Sequence, residues 1–210
     1  TASGRFDSES QSSIRSDLKP LEITQPEGTS FQVSGNKISW QGFEVRASVH
    51  PVSGLVLHEL SLQQRPILYR AALSEMVVPY GDSDPMHSWK HVLDASEYNM
   101  GTMINSLKLG CDCLGEIHYL DSHQVTFDGK PRTIENAICI HEEDYGIQWK
   151  HYDSSSQTTE VRRSRRLVIS SVFTVGNYDY GFYWYLYLDG TIQMEVKLTG
   201  IVGISVFTEE

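Results

Sequence analysis

The feature that most constrains the fold is a pair of strand-like runs, GFYWYLYL and TIQMEVKL, joined by Asp189-Gly190. Asp-Gly between two runs rich in β-branched and aromatic residues is a strong hairpin signal. A two-residue turn predicts opposite pairs on one face, Tyr183 with Val196, Tyr185 with Met194 and Tyr187 with Ile192. It places Phe182, Trp184 and Leu186 on the other face with Lys197, Glu195 and Gln193. Because the first run is apolar on both faces, other elements must cover both sides of the sheet near it.

Shorter runs of the same kind precede this hairpin, separated by Gly, Pro, Asn and Ser. They are FQV, KISW, FEVRASV, LVLHELSL, EIHYL, TIENAICIHEE and RRLVISSVFTV. This spacing is typical of antiparallel hairpins. Residues 80–108 break the rhythm and are predicted to form a single helical turn or an irregular loop, and the Ser-rich residues 1–30 to form a tail or linker. The fold class predicted is all-β, a large antiparallel β-sandwich with buried central strands.

Composition excludes several classes of function. The chain has 17 Lys and Arg against 27 Asp and Glu, a net charge of −10, which repels phosphate backbones and anionic lipids and attracts cations. Nucleic acid is therefore not expected as a partner. The longest apolar runs are about half the length of a membrane span, so no membrane is expected as a partner either. No phosphate-binding or hydrolase motif occurs. The sequence also lacks an Asn-x-Ser/Thr glycosylation acceptor, which would have indicated secretion.

A few His and Cys residues could bind a metal or form a bridge. His87 and His91, four positions apart, could share a helical face and bind a metal, or they are two solvated imidazoles in a polar loop. The run His141 to Asp144 is either a ligand set or a charged strand end. Three cysteines, too few for a disulfide scaffold, allow one bridge and one free thiol. They are Cys111, Cys113 and Cys139.

Two residues are candidates for catalysis on their local context. Asp94 follows an apolar pair, and a half-buried carboxylate there would have the raised pKa that a general base needs. The alternative is that Asp94 caps the turn formed by residues 95–97. Tyr178 follows a strand-like run at a Gly-Asn turn, where an aromatic hydroxyl is either a site group or an ordinary packed side chain.

The segment TVGNYDY, residues 174–180, resembles the topaquinone motif of copper-containing primary amine oxidases, whose core is Asn-Tyr-Asp/Glu. The blocks MVVPYGD, LGCDCLG, ICIHEED, RRSRRLVIS and GFYWYLYLDGTI resemble further blocks of that family in the same order. The resemblance covers about residues 25–210. It implies a linker or tail at 1–25 and, at 26–210, a truncated N-terminal portion of the catalytic domain, within the family's large β-sandwich.

The resemblance also implies roles for individual residues. Tyr178 would be oxidised with copper and dioxygen to topaquinone, which forms a Schiff base with the substrate amine, and Asp94 would be the proton acceptor. Tyr80 would hydrogen-bond the quinone oxygen, and Asn177 would hold the ring orientation. The residues implied in substrate binding are Val92, Tyr98, Val175, Gly176 and Tyr180. Cys113 and Cys139 match the family's disulfide, which leaves Cys111 free.

The implied reaction converts RCH2NH2, O2 and H2O to an aldehyde, NH3 and H2O2. The family's copper is held by three His downstream of the quinone tyrosine, but no His follows Tyr178 here. Copper ligands are therefore expected beyond Glu210, and this chain alone is predicted to be inactive. Val92 stands where relatives often have an aromatic gate, which predicts a wider substrate channel. A homodimer and a cytoplasmic or peroxisomal location are expected. The alternative is a non-catalytic or degenerate β-sandwich module of the same family.

Overall fold

The computed structural model of the chain describes Ser10, residues 14–85 and residues 87–203. This part of the chain contains strands β1 to β12 and one 3₁₀ helix at Met100–Met103. The strands are β1 Gln32–Ser34, β2 Lys37–Trp40, β3 Phe43–His50, β4 Gly54–Leu62, β5 Arg65–Ala71, β6 Val77–Pro79, β7 His91–Leu93, β8 His118–Val125, β9 Pro131–Asp153, β10 Thr158–Val175, β11 Tyr178–Tyr187 and β12 Ile192–Gly200. Every run predicted as a strand contributes to one of them.

The strands form two antiparallel five-stranded sheets and a small two-stranded ladder. The first sheet has the order β1-β2-β3-β4-β5, and the second has the order β12-β11-β10-β9-β8. Neighbours in each sheet are therefore neighbours in the chain, as hairpin connections between antiparallel strands allow. The third unit pairs β6 with β7.

The two large sheets pack face to face around one hydrophobic core, which confirms the predicted antiparallel β-sandwich. Trp40, Phe43 and Leu57 of the first sheet lie in the same buried cluster as Phe173 and Leu186 of the second. Alternate residues of each strand supply this core, since successive side chains point to opposite faces. Strands β10 and β11 are buried on both faces along much of their length, also as predicted.

The hairpin between β11 and β12 has a register one residue away from the predicted one. Its loop has three residues, Leu188 to Gly190, closed by hydrogen bonds from Tyr187 N to Thr191 O (3.0 Å) and from Gly190 N to Tyr187 O (3.0 Å). Gly190 has a φ of 89°, the left-handed conformation that glycine adopts easily and that ends a turn of this kind. The predicted pairs were therefore wrong.

The observed pairs are Phe182 with Val196, Tyr183 with Glu195, Trp184 with Met194, Tyr185 with Gln193 and Leu186 with Ile192. A shift of one residue moves a whole strand's side chains to the other face. The three-residue loop therefore places apolar side chains opposite apolar side chains in the core, whereas the predicted pairing would have put charged residues there.

Residues 72–117 connect the two sheets. The 3₁₀ helix confirms the helical turn predicted for this region, while the ladder between β6 and β7 was not predicted. Residues 14–30 contain no helix or strand, and Glu142 of β9 accepts hydrogen bonds from Gln25 Nε2 (2.7 Å) and Ser30 N (2.8 Å). Among the described residues, no helix has the length and apolar character needed to cross a membrane.

Candidate active site

The ladder of β6 and β7 positions two of the predicted site residues. Tyr80 follows β6 and its backbone N–H donates to Lys90 O at 3.2 Å. Asp94 follows β7 and its backbone N–H donates to Met76 O at 2.9 Å. Both residues therefore continue the hydrogen bonding of the ladder by one position, which fixes their backbones although they lie outside the strands. Val92, in the middle of β7, is half-buried.

The hairpin between β10 and β11 positions Tyr178. Val175 and Tyr178 form its last pair, and the exposed Gly176 and Asn177 make the turn. Gly200 of β12 lies opposite Tyr178, and a Cβ atom there would lie 2.5 Å from Asn177 O and 2.9 Å from Tyr178 Cα. The backbone around Tyr178 is thus packed too tightly for any side chain at position 200.

The hydroxyl of Tyr178 has two hydrogen-bond partners. Gly203 N donates to it at 3.1 Å, and the Tyr80 hydroxyl is hydrogen-bonded to it as well. The bond with Tyr178, followed by burial and the nearby charge of Asp94, raises the pKa of Tyr80 to about 12. Lys90 Nζ lies 4.4 Å from the centre of the Tyr80 ring. The Tyr178 oxygen is therefore held between a backbone amide and a phenol that stays protonated at neutral pH.

Asp94 is almost completely buried, with 3% of its surface exposed. Its Oδ2 accepts a 2.5 Å hydrogen bond from the hydroxyl of Tyr180, which is itself only 4% exposed. Burial, followed by this bond to a carboxylate, raises the pKa of the Tyr180 hydroxyl. The Tyr180 ring lies nearly parallel to that of Tyr178, at a centroid distance of 6.3 Å.

The alternative that Asp94 caps the following turn is wrong. Glu75 caps that turn instead, since its Oε1 accepts hydrogen bonds from Ala95 N at 3.1 Å and Ser96 N at 3.4 Å. The Asp94 carboxylate is consequently available to the tyrosine cluster.

The structure brings together most of the predicted site residues but not all of them. Tyr80, Tyr178, Tyr180 and Asp94 form one cluster, and the 45% exposed Tyr98 interacts with Tyr80 at its edge. The predicted substrate-binding residue Val175 lies in the hydrophobic core instead and is 3% exposed. Asn177 contributes its backbone oxygen, which accepts a 2.7 Å hydrogen bond from Ile201 N.

The histidine motifs do not come together as metal sites. His87 Nδ1 pairs with Asp82 Oδ2 at 3.2 Å, and residues 14–85 and 87–203 contain no group of three or more His, Cys, Asp or Glu that could hold a metal. The donors in this part of the chain therefore do not fit a copper ion.

The run His141 to Asp144 is not a charged strand end, because it lies in the middle of β9 with His141 buried. His141 Nε2 lies 3.2 Å from Glu143 Oε1, and Arg166 Nε donates to Glu143 Oε2 at 2.7 Å. The hydrogen bond from His141, then that from Arg166, lowers the pKa of Glu143 to about 2, although burial opposes both. These side chains use their donors and acceptors within the sheet.

The three cysteines are free thiols in this structure. Cys113 and Cys139 are buried in one small cluster and hydrogen-bonded to each other, whereas Cys111 is exposed. Their bond lowers the pKa of Cys113 and raises that of Cys139. The pairing of Cys113 with Cys139 places the two thiols predicted to form the disulfide side by side, but the disulfide itself stays a prediction.

Comparison with known proteins identifies the family. The sequence model of the copper amine oxidase enzyme domain matches residues 32–210. The chain belongs to the copper amine oxidase family. It is 57% identical over 193 residues to the primary amine oxidase of Arthrobacter sp. (strain P1), a match that covers 90% of this chain and 30% of that protein. It is 52% identical over 195 residues to the peroxisomal copper-containing diamine oxidase 1 of Nicotiana tabacum, covering 90% of this chain and 25% of that protein.

Solved structures of copper amine oxidases share the fold. The copper-containing benzylamine oxidase from Hansenula polymorpha superposes with a TM-score of 0.87 at 38% identity, covering 94% of this chain and 31% of that one. This copper amine oxidase chain therefore spans about 30% of the length of the relatives it matches.

Two residues of the candidate site were missed by the sequence analysis. Gly200 and Gly203 approach Tyr178 from the segment that follows the last hairpin. Their only signal is a pair of glycines three residues apart after a strand, a pattern that many surface turns share. The bond from Tyr180 to Asp94 was also missed, since Tyr180 was predicted to contact substrate.

Proposed function

We propose that the full-length protein containing this chain oxidises primary amines, converting RCH2NH2, O2 and H2O to an aldehyde, NH3 and H2O2. The observation that carries this proposal is the cluster in which the Tyr178 hydroxyl is held by Tyr80 and Gly203 N beside the buried carboxylate of Asp94. Such a constellation in a copper amine oxidase enzyme domain fits a tyrosine that becomes the quinone cofactor. Topaquinone supplies an electrophilic carbonyl and an electron sink, which ordinary side chains lack.

Each residue of the cluster has a task in this proposal. Asp94 accepts the proton from the substrate carbon next to nitrogen, because its buried carboxylate interacts with Tyr80 and Tyr180, the two tyrosines beside Tyr178. Tyr80, whose pKa of about 12 keeps it protonated, donates a hydrogen bond to the oxygen at Tyr178. Asn177 limits the orientation of the ring from the adjoining turn.

The substrate would approach over Val92 and Tyr98. Val92 is half-buried on β7, and Tyr98 is exposed at the edge of the cluster, so both are accessible to a substrate. A valine leaves more space than an aromatic side chain, which favours amines with a bulky substituent. The net charge of −10 favours approach of the protonated amine.

Copper is proposed as the metal of the full-length protein, with ligands outside residues 14–85 and 87–203. Formation of the quinone needs the metal, so residues 1–210 expressed alone would keep Tyr178 as an unmodified tyrosine and would be inactive. The proposed homodimer has one source of support in the distal part of the β9–β10 hairpin. There Ile147, Trp149 and Tyr152 are each at least half exposed, which is unusual for large apolar side chains in a strand pair.

Two simple measurements address assembly and location. Light scattering on the full-length protein at micromolar concentration should give twice the subunit mass, and a monomer would contradict the homodimer. Cell fractionation should place the protein in the cytoplasm or in peroxisomes, the latter being the location given in the names of several relatives. Recovery from the secreted fraction would contradict this proposal.

The decisive experiment is the mass of the tryptic peptide that spans residues 167–197. The full-length protein, purified and exposed to copper and air, should yield this peptide with two additional oxygens and two fewer hydrogens, located at Tyr178. The matched control is Tyr178→Phe, which should show no such gain and no amine oxidation. An unmodified peptide from copper-loaded wild-type protein would refute the proposed function and favour a non-catalytic or degenerate module of the family.

A further inference from the structure

We infer that Tyr180 is a positioning residue for the base of this site: its hydroxyl holds Asp94 Oδ2 and so leaves Oδ1 as the proton-accepting atom. This inference rests on the proposed function, because it assigns a task to a neighbour of the proposed base. It replaces the role in substrate contact that the sequence suggested for Tyr180.

The hydrogen bond joins two parts of the fold that are distant in the sequence. Its donor, Tyr180, lies on β11 in the second sheet, and its acceptor, Asp94, follows the ladder strand β7. The 2.5 Å distance and the burial of both residues keep water away from this bond. In residues 14–85 and 87–203, Oδ1 of the same carboxylate accepts no comparable hydrogen bond. One oxygen is therefore fixed and the other is available.

The position of the donor in the sequence also matters. Tyr178 and Tyr180 are two residues apart on one strand, so their side chains lie on the same face, and their rings are nearly parallel at 6.3 Å. A carboxylate held by Tyr180 is consequently held at a fixed distance from the Tyr178 ring. A donor on a separate loop would not tie the two together in this way.

The charges around the carboxylate are consistent with such a role. The titratable groups that interact with this site are Tyr180, Tyr178 and Tyr80, with Tyr98 beyond Tyr80 and Lys90 stacked over the Tyr80 ring. A hydrogen bond donated to a buried carboxylate stabilises its ionised form. The Tyr180 hydroxyl, whose own pKa is raised, supplies that bond throughout the neutral pH range.

The step itself is a simple proton transfer. The C–H bond of the substrate carbon breaks, its proton passes to Asp94 Oδ1, and its electron pair would be taken up by the electron sink that the proposed quinone supplies. Tyr180 neither gains nor loses a proton in this step. Its contribution is to orient the accepting oxygen, which affects the rate of proton transfer more than the binding of the amine.

The test compares Tyr180→Phe with wild type in the full-length, copper-loaded protein. We expect the acidic limb of the pH profile of kcat/KM to move upward by about one pH unit, since the carboxylate loses a charge-stabilising hydrogen bond. We also expect kcat to fall by about 10- to 100-fold with a smaller change in KM. The mass of the peptide 167–197 should still show the quinone.

The matched control is Tyr185→Phe. Tyr185 lies on the same strand, is 2% exposed and donates a 2.5 Å hydrogen bond to Glu195, but it is on the face away from Asp94. A general loss of strand stability would affect both variants equally, whereas the inferred role predicts a shifted pH profile in Tyr180→Phe only. An unshifted profile in Tyr180→Phe, or an equal shift in both variants, would overturn the inference.

A second measurement does not depend on activity. Infrared titration should show one carboxyl band that is absent in Asp94→Asn, and this band should titrate at higher pH in Tyr180→Phe than in wild type. An identical titration would overturn the inference even if both variants lost activity. Loss of the quinone in Tyr180→Phe alone would also overturn it, by assigning Tyr180 to cofactor formation. Absence of the quinone from wild type would instead refute the proposed function.

Discussion

The carboxylate of Glu142 should anchor the segment that enters the domain, and its removal should release that segment. Glu142 lies in β9 with only 2% of its side chain exposed, yet it is ionised and surrounded by donors. Gln25 Nε2, Ser30 N and Trp40 Nε1 donate to it at 2.7, 2.8 and 2.9 Å. Burial raises the pKa of Glu142, but these three bonds and the nearby charge of Arg165 together outweigh burial and hold the pKa below its ordinary value.

The expected loss of stability follows from what each donor can bind after Glu142→Ala. Gln25 and Ser30 are near the surface and can bind water instead, so their loss is small. The Trp40 side chain is 2% exposed, and its N–H would be left buried without an acceptor. A buried unsatisfied donor costs about 1–3 kcal/mol, and a lost hydrogen bond to a charged group is worth about as much. We expect the segment to become less stable by about 3 kcal/mol in total.

Hydrogen exchange measures this local effect in the full-length protein. A loss of about 3 kcal/mol corresponds to roughly 100-fold faster exchange, because each factor of ten is worth about 1.4 kcal/mol. The increase should be confined to amides of residues 25–31 and the facing part of β2, since the rest of the sandwich keeps its core.

The matched control is Asp144→Ala, two residues further along the same strand. Asp144 forms an exposed ion pair with Arg163, so its removal should leave exchange in residues 25–31 unchanged. Exchange that is less than threefold faster in Glu142→Ala would refute the anchoring role. An equal increase in both variants would instead indicate general loosening of β9.

Three further predictions concern other parts of the chain. Glu143→Gln should lower the stability at pH 7 by about 2 kcal/mol after allowance for solvent screening. The folded pKa of Glu143 is about 2 and its ordinary value is 4.5, so its contribution to stability is complete above pH 4.5. The difference between the melting curves of wild type and variant should therefore vanish as pH falls from 4.5 to 2. Gly200→Ala should displace the turn at Asn177 and reduce the quinone content of peptide 167–197, whereas Gly129→Ala, which has open space around it, should not. The predicted disulfide between Cys113 and Cys139 should leave only Cys111, of these three cysteines, open to alkylation in the unfolded, unreduced protein. Alkylation of all three would refute the pairing.

The strands of the two large sheets could be predicted from the sequence because they are runs of β-branched and aromatic residues separated by turn residues. The register of the last hairpin could not, since Asp189-Gly190 is compatible with a two-residue and a three-residue loop. What decides between them is the core: only the three-residue loop turns Trp184 and its apolar partner Met194 toward the first sheet. That information lies in strands more than a hundred residues away.

The candidate site was accessible from sequence only through family resemblance. Local reasoning left Asp94 open between a base and a cap for the following turn, because an Asp before Ala-Ser-Glu is a common capping pattern. Glu75 occupies the capping position in the structure. A capping residue that is distant in sequence leaves no local signal, so the availability of Asp94 for chemistry became visible only after folding.

The site and the core are parts of one continuous strand face. The inner face of β11 begins with the half-buried Tyr178 and continues with four buried side chains, Tyr180, Phe182, Trp184 and Leu186. Packing of the apolar end against the first sheet fixes the position and twist of the strand, and the same constraint extends to the two tyrosines at its beginning. A rigid core can therefore hold Tyr178 and, through Tyr180, Asp94 at a constant separation, which catalysis by proton transfer requires and which a loop could not provide.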